Sequence, residues 1–216
     1  MEACDYLPYI RACAAKARAP RAVAGLKRRL DAFVNADVGN QKVAGDSRVK
    51  RVMETLDMFE GYIRSPSQRE FHTNFLHACL PHIYGTVDFE NNRERILREH
   101  SLEDMDYEIL VCTPRRWGKT VSVSMWCAAL LYHVPDMWIS VFSTGQRAST
   151  SLLDLTSKLF LQLPNAKDRI LKKNQEQFFI KGDSPSDMRR LFSFPSSVAG
   201  LKGQGELLSL GSFSPY

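Results

Sequence analysis

The apolar positions of this chain change period several times, and each change marks an element. From Asp46 onward, Val49, Val52, Met53, Leu56, Phe59 and Ile63 recur at spacings of three and four, the repeat of one helical face, with Asp46 and Ser47 available as caps. Ser65-Pro66-Ser67 interrupts this pattern. Phe71, Phe75, Cys79 and Leu80 then predict a second helix from about Gln68 to Pro81, since an interior proline removes a backbone donor and crowds the preceding turn. After Gly85 a polar, acidic stretch predicts a short helix from Asn91 to Glu99. The run Tyr107–Cys112 is rich in β-formers and predicts a strand buried on both faces, and therefore a parallel sheet. A long apolar helix is expected from Val121 to His133, a second strand over 137–142, and a helix over 147–163 with Leu152, Leu155, Leu159 and Phe160 as its core stripe. Two short β-like stretches, 177–180 and 191–194, follow before a Gly/Ser-rich tail. Strand, loop, helix, strand, helix is the order of a βαβ unit, so the fold class expected is α/β.

Composition bounds this picture without changing it. The 216 residues, 44% apolar and 25% charged, suit one domain with an extension. No run reaches the roughly 18 apolar residues of a membrane span, and no secretory signal is visible. Five cysteines with no CxxC pair argue for reduced thiols in an intracellular compartment, nuclear or cytoplasmic. His72, His77 and His82 recur every five residues, which turns them to different sides of a helix, and no metal is expected there.

The net charge of +5 is unevenly placed: residues 1–64 carry +4, residues 86–108 carry −5 and residues 109–216 carry +6. Between Asp5 and Asp31 seven cations occur with no acid. A mitochondrial presequence is similar, but Glu2, Asp5 and the scarcity of Ser and Thr favour a solvated basic helix.

Candidate chemistry concentrates at Thr113-Pro114-Arg115-Arg116-Trp117-Gly118-Lys119-Thr120, between the first expected strand and the apolar helix. The end of a strand and the start of a helix together aim backbone N–H groups and the positive end of the helix dipole at one point, which suits a phosphate. Gly118 permits close approach, Lys119 reaches terminal phosphates and Thr120 offers a hydroxyl to Mg2+. The last three residues match the end of a Walker A loop, with Thr113 where its first glycine usually stands. Arg115 and Arg116 are adjacent guanidinium groups on a tight loop, an arrangement that an anion between them relieves. Trp117 is expected to pack rather than to seat a base.

This octapeptide resembles the deviant Walker A loop of large terminase subunits, the DNA-packaging motors of herpesviruses and tailed phages. Three further stretches are similar: Ser65–Phe71, like the upstream element in which a glutamine reads adenine; Val141–Ala148, like the polar turn after the second strand; and Ser193-Phe194-Pro195 with Gly200–Gly205, like the approach to Walker B. The resemblance covers residues 65–208. It implies the additional-strand class of P-loop NTPase, with ATP and Mg2+ as cofactors, Lys119 and Arg115 as catalytic groups, and Gln68, Arg116, Gly118, Lys119 and Thr120 around the nucleotide. Thr120 would ligate the metal. It further implies double-stranded DNA as the partner of the full-length protein and a homo-oligomeric ring.

The expected carboxylate pair after the Walker B strand is not found, since Glu206-Leu207-Leu208 is followed by Ser209–Tyr216 with no acid. The sequence therefore divides into a basic helical extension (1–64), a partial ATPase domain with an incomplete parallel sheet (65–208), and a tail (209–216) foreign to the domain. Little or no hydrolysis is expected of this chain alone. Two other readings stay open: a nucleotide- or nucleic-acid-binding remnant or scaffold without catalysis, and a different P-loop enzyme such as a helicase or kinase.

Overall fold

A computed structural model describes residues 44–143 and 145–195. The expectations for residues 1–43, for Gly200–Gly205 and Glu206–Leu208, and for the tail lie outside them. Helix α1 (Ala44–Thr55), α2 (Pro66–Tyr84) and α3 (Thr86–Glu99) come first, followed by α4 (Lys119–His133). Strand β1 (Trp138–Ser143), α5 (Gln146–Phe160), the single turn α6 (Ala166–Arg169), β2 (Ile170–Lys173), β3 (Gln177–Lys181) and β4 (Met188–Pro195) complete the order.

The class is α/β, as expected, but the sheet is mixed rather than parallel. Its four strands lie in the order β1-β4-β3-β2. β1 and β4 are parallel, in the register Trp138↔Arg190 to Ser143↔Pro195, and the β2–β3 and β3–β4 pairs are antiparallel. Helix α5 lies within the connection that makes β1 and β4 parallel, as a crossover requires.

The expected strand over 107–112 is not formed. The segment has no ladder partner among the described residues, and Leu110 (90% exposed) and Tyr107 (68%) face outward instead of lying buried on both faces. The physical reason is that β-propensity largely expresses packing against neighbouring strands, and no described strand lies beside this one. The incomplete parallel sheet expected to include this strand is corrected accordingly: the described sheet is mixed and does not contain it.

The helices follow their apolar stripes, with local adjustments. α1 stops at Thr55 rather than running to Ile63, which is 96% exposed. Gly61 in a left-handed conformation (φ 81°) and the Asp57 carboxylate, held by Arg64 and Arg69, turn the chain instead. α2 passes through Pro81 to Tyr84, because Leu80, Ile83 and Tyr84 are buried and Gly85 N–H closes the last turn on the Pro81 carbonyl. α3 begins five residues before its expected start. Val52 of α1 and Leu56 just after it, Leu76, Leu80 and Ile83 of α2, and Met125 to Leu131 of α4 share one apolar core with Leu153, Leu159 and Phe160 of α5 and Phe178, Ile180 and Leu191 of the sheet. The helix assigned by sequence to the N-terminal extension thus packs in the same core as α2 and α4.

Candidate functional site: the loop before α4

Helix α4 is the most buried helix of the described residues, from Ser124 through Leu131 without a break. Its N-terminus is nevertheless exposed. Gly118 is the N-cap residue, in the left-handed region (φ 96°, ψ 27°), where a side chain would be strained. Arg116 is also left-handed (φ 66°). Left-handed residues in a turn are one way in which a backbone builds an anion-binding concavity. No side chain caps α4, and its first turn holds no acid but does hold Lys119. A cation at this end of a helix opposes the dipole, and the first-turn N–H groups have no intrahelical partner. By contrast, α2 has a complete capping box: Ser65 Oγ accepts from Gln68 N–H (3.2 Å), and Gln68 Oε1 accepts from Ser65 N–H (2.9 Å).

Lys119 Nζ folds back to donate to the carbonyls of Thr113 (3.1 Å) and Pro114 (3.3 Å), which puts its ammonium inside the curl of the loop. The Thr113 hydroxyl is buried and has no hydrogen-bond partner among the described residues. Thr120, Arg115 and Arg116 are exposed, and neither arginine has an ion-pair partner among the described residues. The sequence-predicted residues 115, 116, 118, 119 and 120 are therefore on one loop and one helix start. The strand expected to lead into that loop is absent, so the approach comes from the irregular segment 100–114.

Gln68 lies beside the loop, but its amide is engaged locally. Besides closing the capping box, its Nε2 donates to the Trp117 carbonyl (3.2 Å), so close to the loop that a Cβ on Gly118 would stand 2.9 Å from that nitrogen. Trp117 packs, as expected, with its ring edge-on to Phe71 (centroids 5.5 Å apart) and its Nε1 donating to Ser67 Oγ (3.1 Å). The start of α2 thus braces the loop through Ser67, Gln68 and Phe71.

Behind the loop lies a buried polar chain that sequence reasoning missed. Arg64 Nη1 meets His72 Nδ1 at 3.3 Å, and His72 Nε2 lies 2.9 Å from the Ser122 carbonyl. Arginine can only donate and a carbonyl can only accept, so His72 is neutral with its proton on Nε2. Burial, foremost, pushes its pKa down to about 4, and the Arg64 guanidinium adds to this. His72 sits on the buried side of α2, whereas His77 is ring to ring with His100, so these histidines do not converge. The only sequence signal for the chain was a histidine on the helix face occupied by Phe75.

The opposite end of α4 is also polar, and it is closed. Arg189 of β4, fully buried, donates to the Leu131 carbonyl (3.1 Å) and to that of Tyr132, and is paired with Asp187 (2.6 Å) and Asp183 (3.0 Å). Burial pushes the Asp187 carboxyl up, but the Arg189 guanidinium and the N–H groups of Asp136 and Asp183 outweigh it and hold the pKa below the usual value. Ser143 donates through Oγ to the Gly145 carbonyl (3.3 Å) in the turn before α5. Thr144 and the Gln146 side chain lie outside the described residues. No helix of the described residues is long and apolar enough to cross a membrane.

No protein-family model matches the chain, and no curated protein matches it.

Proposed function

We propose that the chain binds the phosphates of ATP, with Mg2+, at the loop Thr113–Thr120, and that it is the N-terminal portion of a terminase-like P-loop ATPase which in full-length form drives double-stranded DNA. The observation that carries this reading is the start of α4: an uncapped, acid-free first turn behind a left-handed glycine, with Lys119 folded back onto the loop carbonyls. These groups suit a polyphosphate, which would satisfy the free N–H donors and reverse the unfavourable placement of Lys119. In this reading Lys119 leaves the Thr113 and Pro114 carbonyls for the terminal phosphates, Thr120 offers its hydroxyl to the metal, and Gly118 lets the oxygens approach the backbone. In the same reading Arg115 stabilises charge on the transferred group and Arg116 holds the phosphates. Mg2+ would supply neutralisation of the phosphate charge. Gln68 meets adenine only after exchanging its bond to Trp117.

A second reading, a non-catalytic nucleotide-binding protein, is favoured by segment 107–112, which has no ladder partner among the described residues. Titration of the 216-residue chain with Mg-ATP, followed by calorimetry, tests the shared claim. Saturable binding that is lost in Lys119→Ala is expected, and no binding by either protein sinks both readings. Sustained phosphate release that Lys119→Ala abolishes would leave the site standing and remove the non-catalytic alternative.

A further inference from the structure

The sheet has two different faces. Helices α4 and α5 pack on the face that carries Ile139, Val141, Phe178, Ile180, Leu191 and Ser193, the last bonded to Ser149 of α5 (2.8 Å). Strand alternation and the register put Trp138, Ser140 and Phe142 of β1, Met188, Arg190, Phe192 and Phe194 of β4, Gln177, Phe179 and Lys181 of β3, and Lys172 of β2 on the other face. Among the described residues that face combines five aromatic rings with three cations and carries no acidic side chain.

Its geometry is specific. The Arg190 guanidinium lies over the Trp138 ring (4.4 Å to the centroid) and also over Phe179 (5.6 Å), while Lys172 lies over Phe179 from the other side (5.5 Å). Phe192 and Phe194 are stacked on each other and fill the centre, leaving Trp138 (55% exposed) and Phe142 (37%) to present ring surface outward. Arg190 forms no ion pair among the described residues, and its Nε is buried without a partner.

We infer that this face binds single-stranded nucleic acid, with bases stacked on Trp138 and Phe142 and the backbone phosphates on Arg190, Lys172 and Lys181. An apolar helix laid across it would bury Arg190 and Lys172 unpaired, at high cost. The occupant must therefore bring negative charge. It must also bring flat π-faces for the exposed rings of Trp138 and Phe142, and the bases of an unpaired strand supply both. A duplex hides its base faces and meets only the cations. Trp138 and Phe142, four residues apart on one strand, stand about 13 Å apart along it, so more than one base can be seated. This inference is independent of the phosphate loop.

The test is fluorescence anisotropy of a labelled oligothymidylate with the full chain, against salt, with unlabelled duplex as competitor. Binding is expected to weaken at least about five-fold in Trp138→Ala, the lower end for loss of one base stack, and to be largely kept in Trp138→Phe. In Arg190→Gln the slope of log affinity against log salt should fall by about 0.7, one phosphate contact on a single strand. The inference is overturned if the oligothymidylate does not bind, if natively folded Trp138→Ala binds it as wild type, or if duplex competes as well as single strand. A self-association seen in sedimentation and lost in Trp138→Ala, with oligothymidylate affinity unchanged, would give the face to a second copy instead. Should Trp138→Ala not fold, the Arg190→Gln salt slope decides.

Discussion

The two ends of α4 face opposite requirements and meet them differently. At its C-terminus the last carbonyls receive the buried Arg189 guanidinium, a cation where the dipole favours one, and buried Asp187 and exposed Asp183 pair with it. At its N-terminus the free N–H groups meet no side chain, and the cation there is on the wrong end of the dipole. One end is completed by the protein's own residues; at the other no side chain among the described residues caps the helix, and there the proposed phosphate would sit. Charge alone does not mark a binding site; the relevant contrast is between charge whose partners are within the chain and charge whose partners are missing.

The comparison can be broken most severely at the closed end. Arg189→Ala strands Asp187 in a buried site and should cost about 3–5 kcal/mol, read as a lower urea midpoint at unchanged slope. A loss within about 0.5 kcal/mol would mean that the cluster is solvated and the contrast false.

Acid should act next, through histidines near both ends. Burial, followed by the charges of Arg51, Arg189 and Arg169, holds His133 at about 4, matching His72. Both folded values lie below the unfolded one, so the unfolded chain binds more protons between them. Their stability contribution is present above about pH 6.5 and is lost as pH falls toward 4, by up to roughly 3 kcal/mol for the buried His72 and by less for the partly exposed His133. Urea midpoints flat between pH 7 and 5 would show that neither histidine is held neutral.

The smallest effect belongs to the open end. Lys119→Ala should change stability by less than about 0.5 kcal/mol without nucleotide, since its two bonds to carbonyls are exposed and its place on the dipole is unfavourable. A loss comparable to that of Arg189→Ala would make Lys119 a structural residue and weaken the proposed phosphate role.

Much of this was legible in the chain. The apolar stripes of α2, α4 and α5 placed those helices to within a few residues, and the β-formers of β1, β3 and β4 placed three strands. Tyr107–Cys112 misled because its β-forming residues state a preference that only a neighbouring strand can satisfy. β2 was missed, since Ile-Leu-Lys-Lys has no alternation and owes its conformation to β3. The loop residues 115–120 were found because their chemistry is local in sequence. Arg189 was not, because a cation in a strand reads as solvated until the carbonyls of Leu131 and Tyr132, far away in the chain, are brought to it. Asp187 two residues earlier, on the same side of the strand, was the available signal. Gln68 shows a different limit: Ser65-x-x-Gln68 spells a helix cap and an adenine reader with the same letters.

The parallel pairing of β1 with β4 sets a timetable for the growing polypeptide. Trp138 and its partner Arg190 are separated by about fifty residues, so at ribosomal speeds of roughly 5–20 residues per second β1 waits for several seconds after it is made before its neighbour exists. Throughout that interval Trp-Ile-Ser-Val-Phe-Ser is an uncharged, β-prone hexapeptide with both edges bare, the kind of segment that pairs with whatever strand it meets first. The nascent chain is thus at its greatest risk of misassembly between the emergence of α5 and that of β4, and a chaperone that shields β1 in that window would protect the whole sheet.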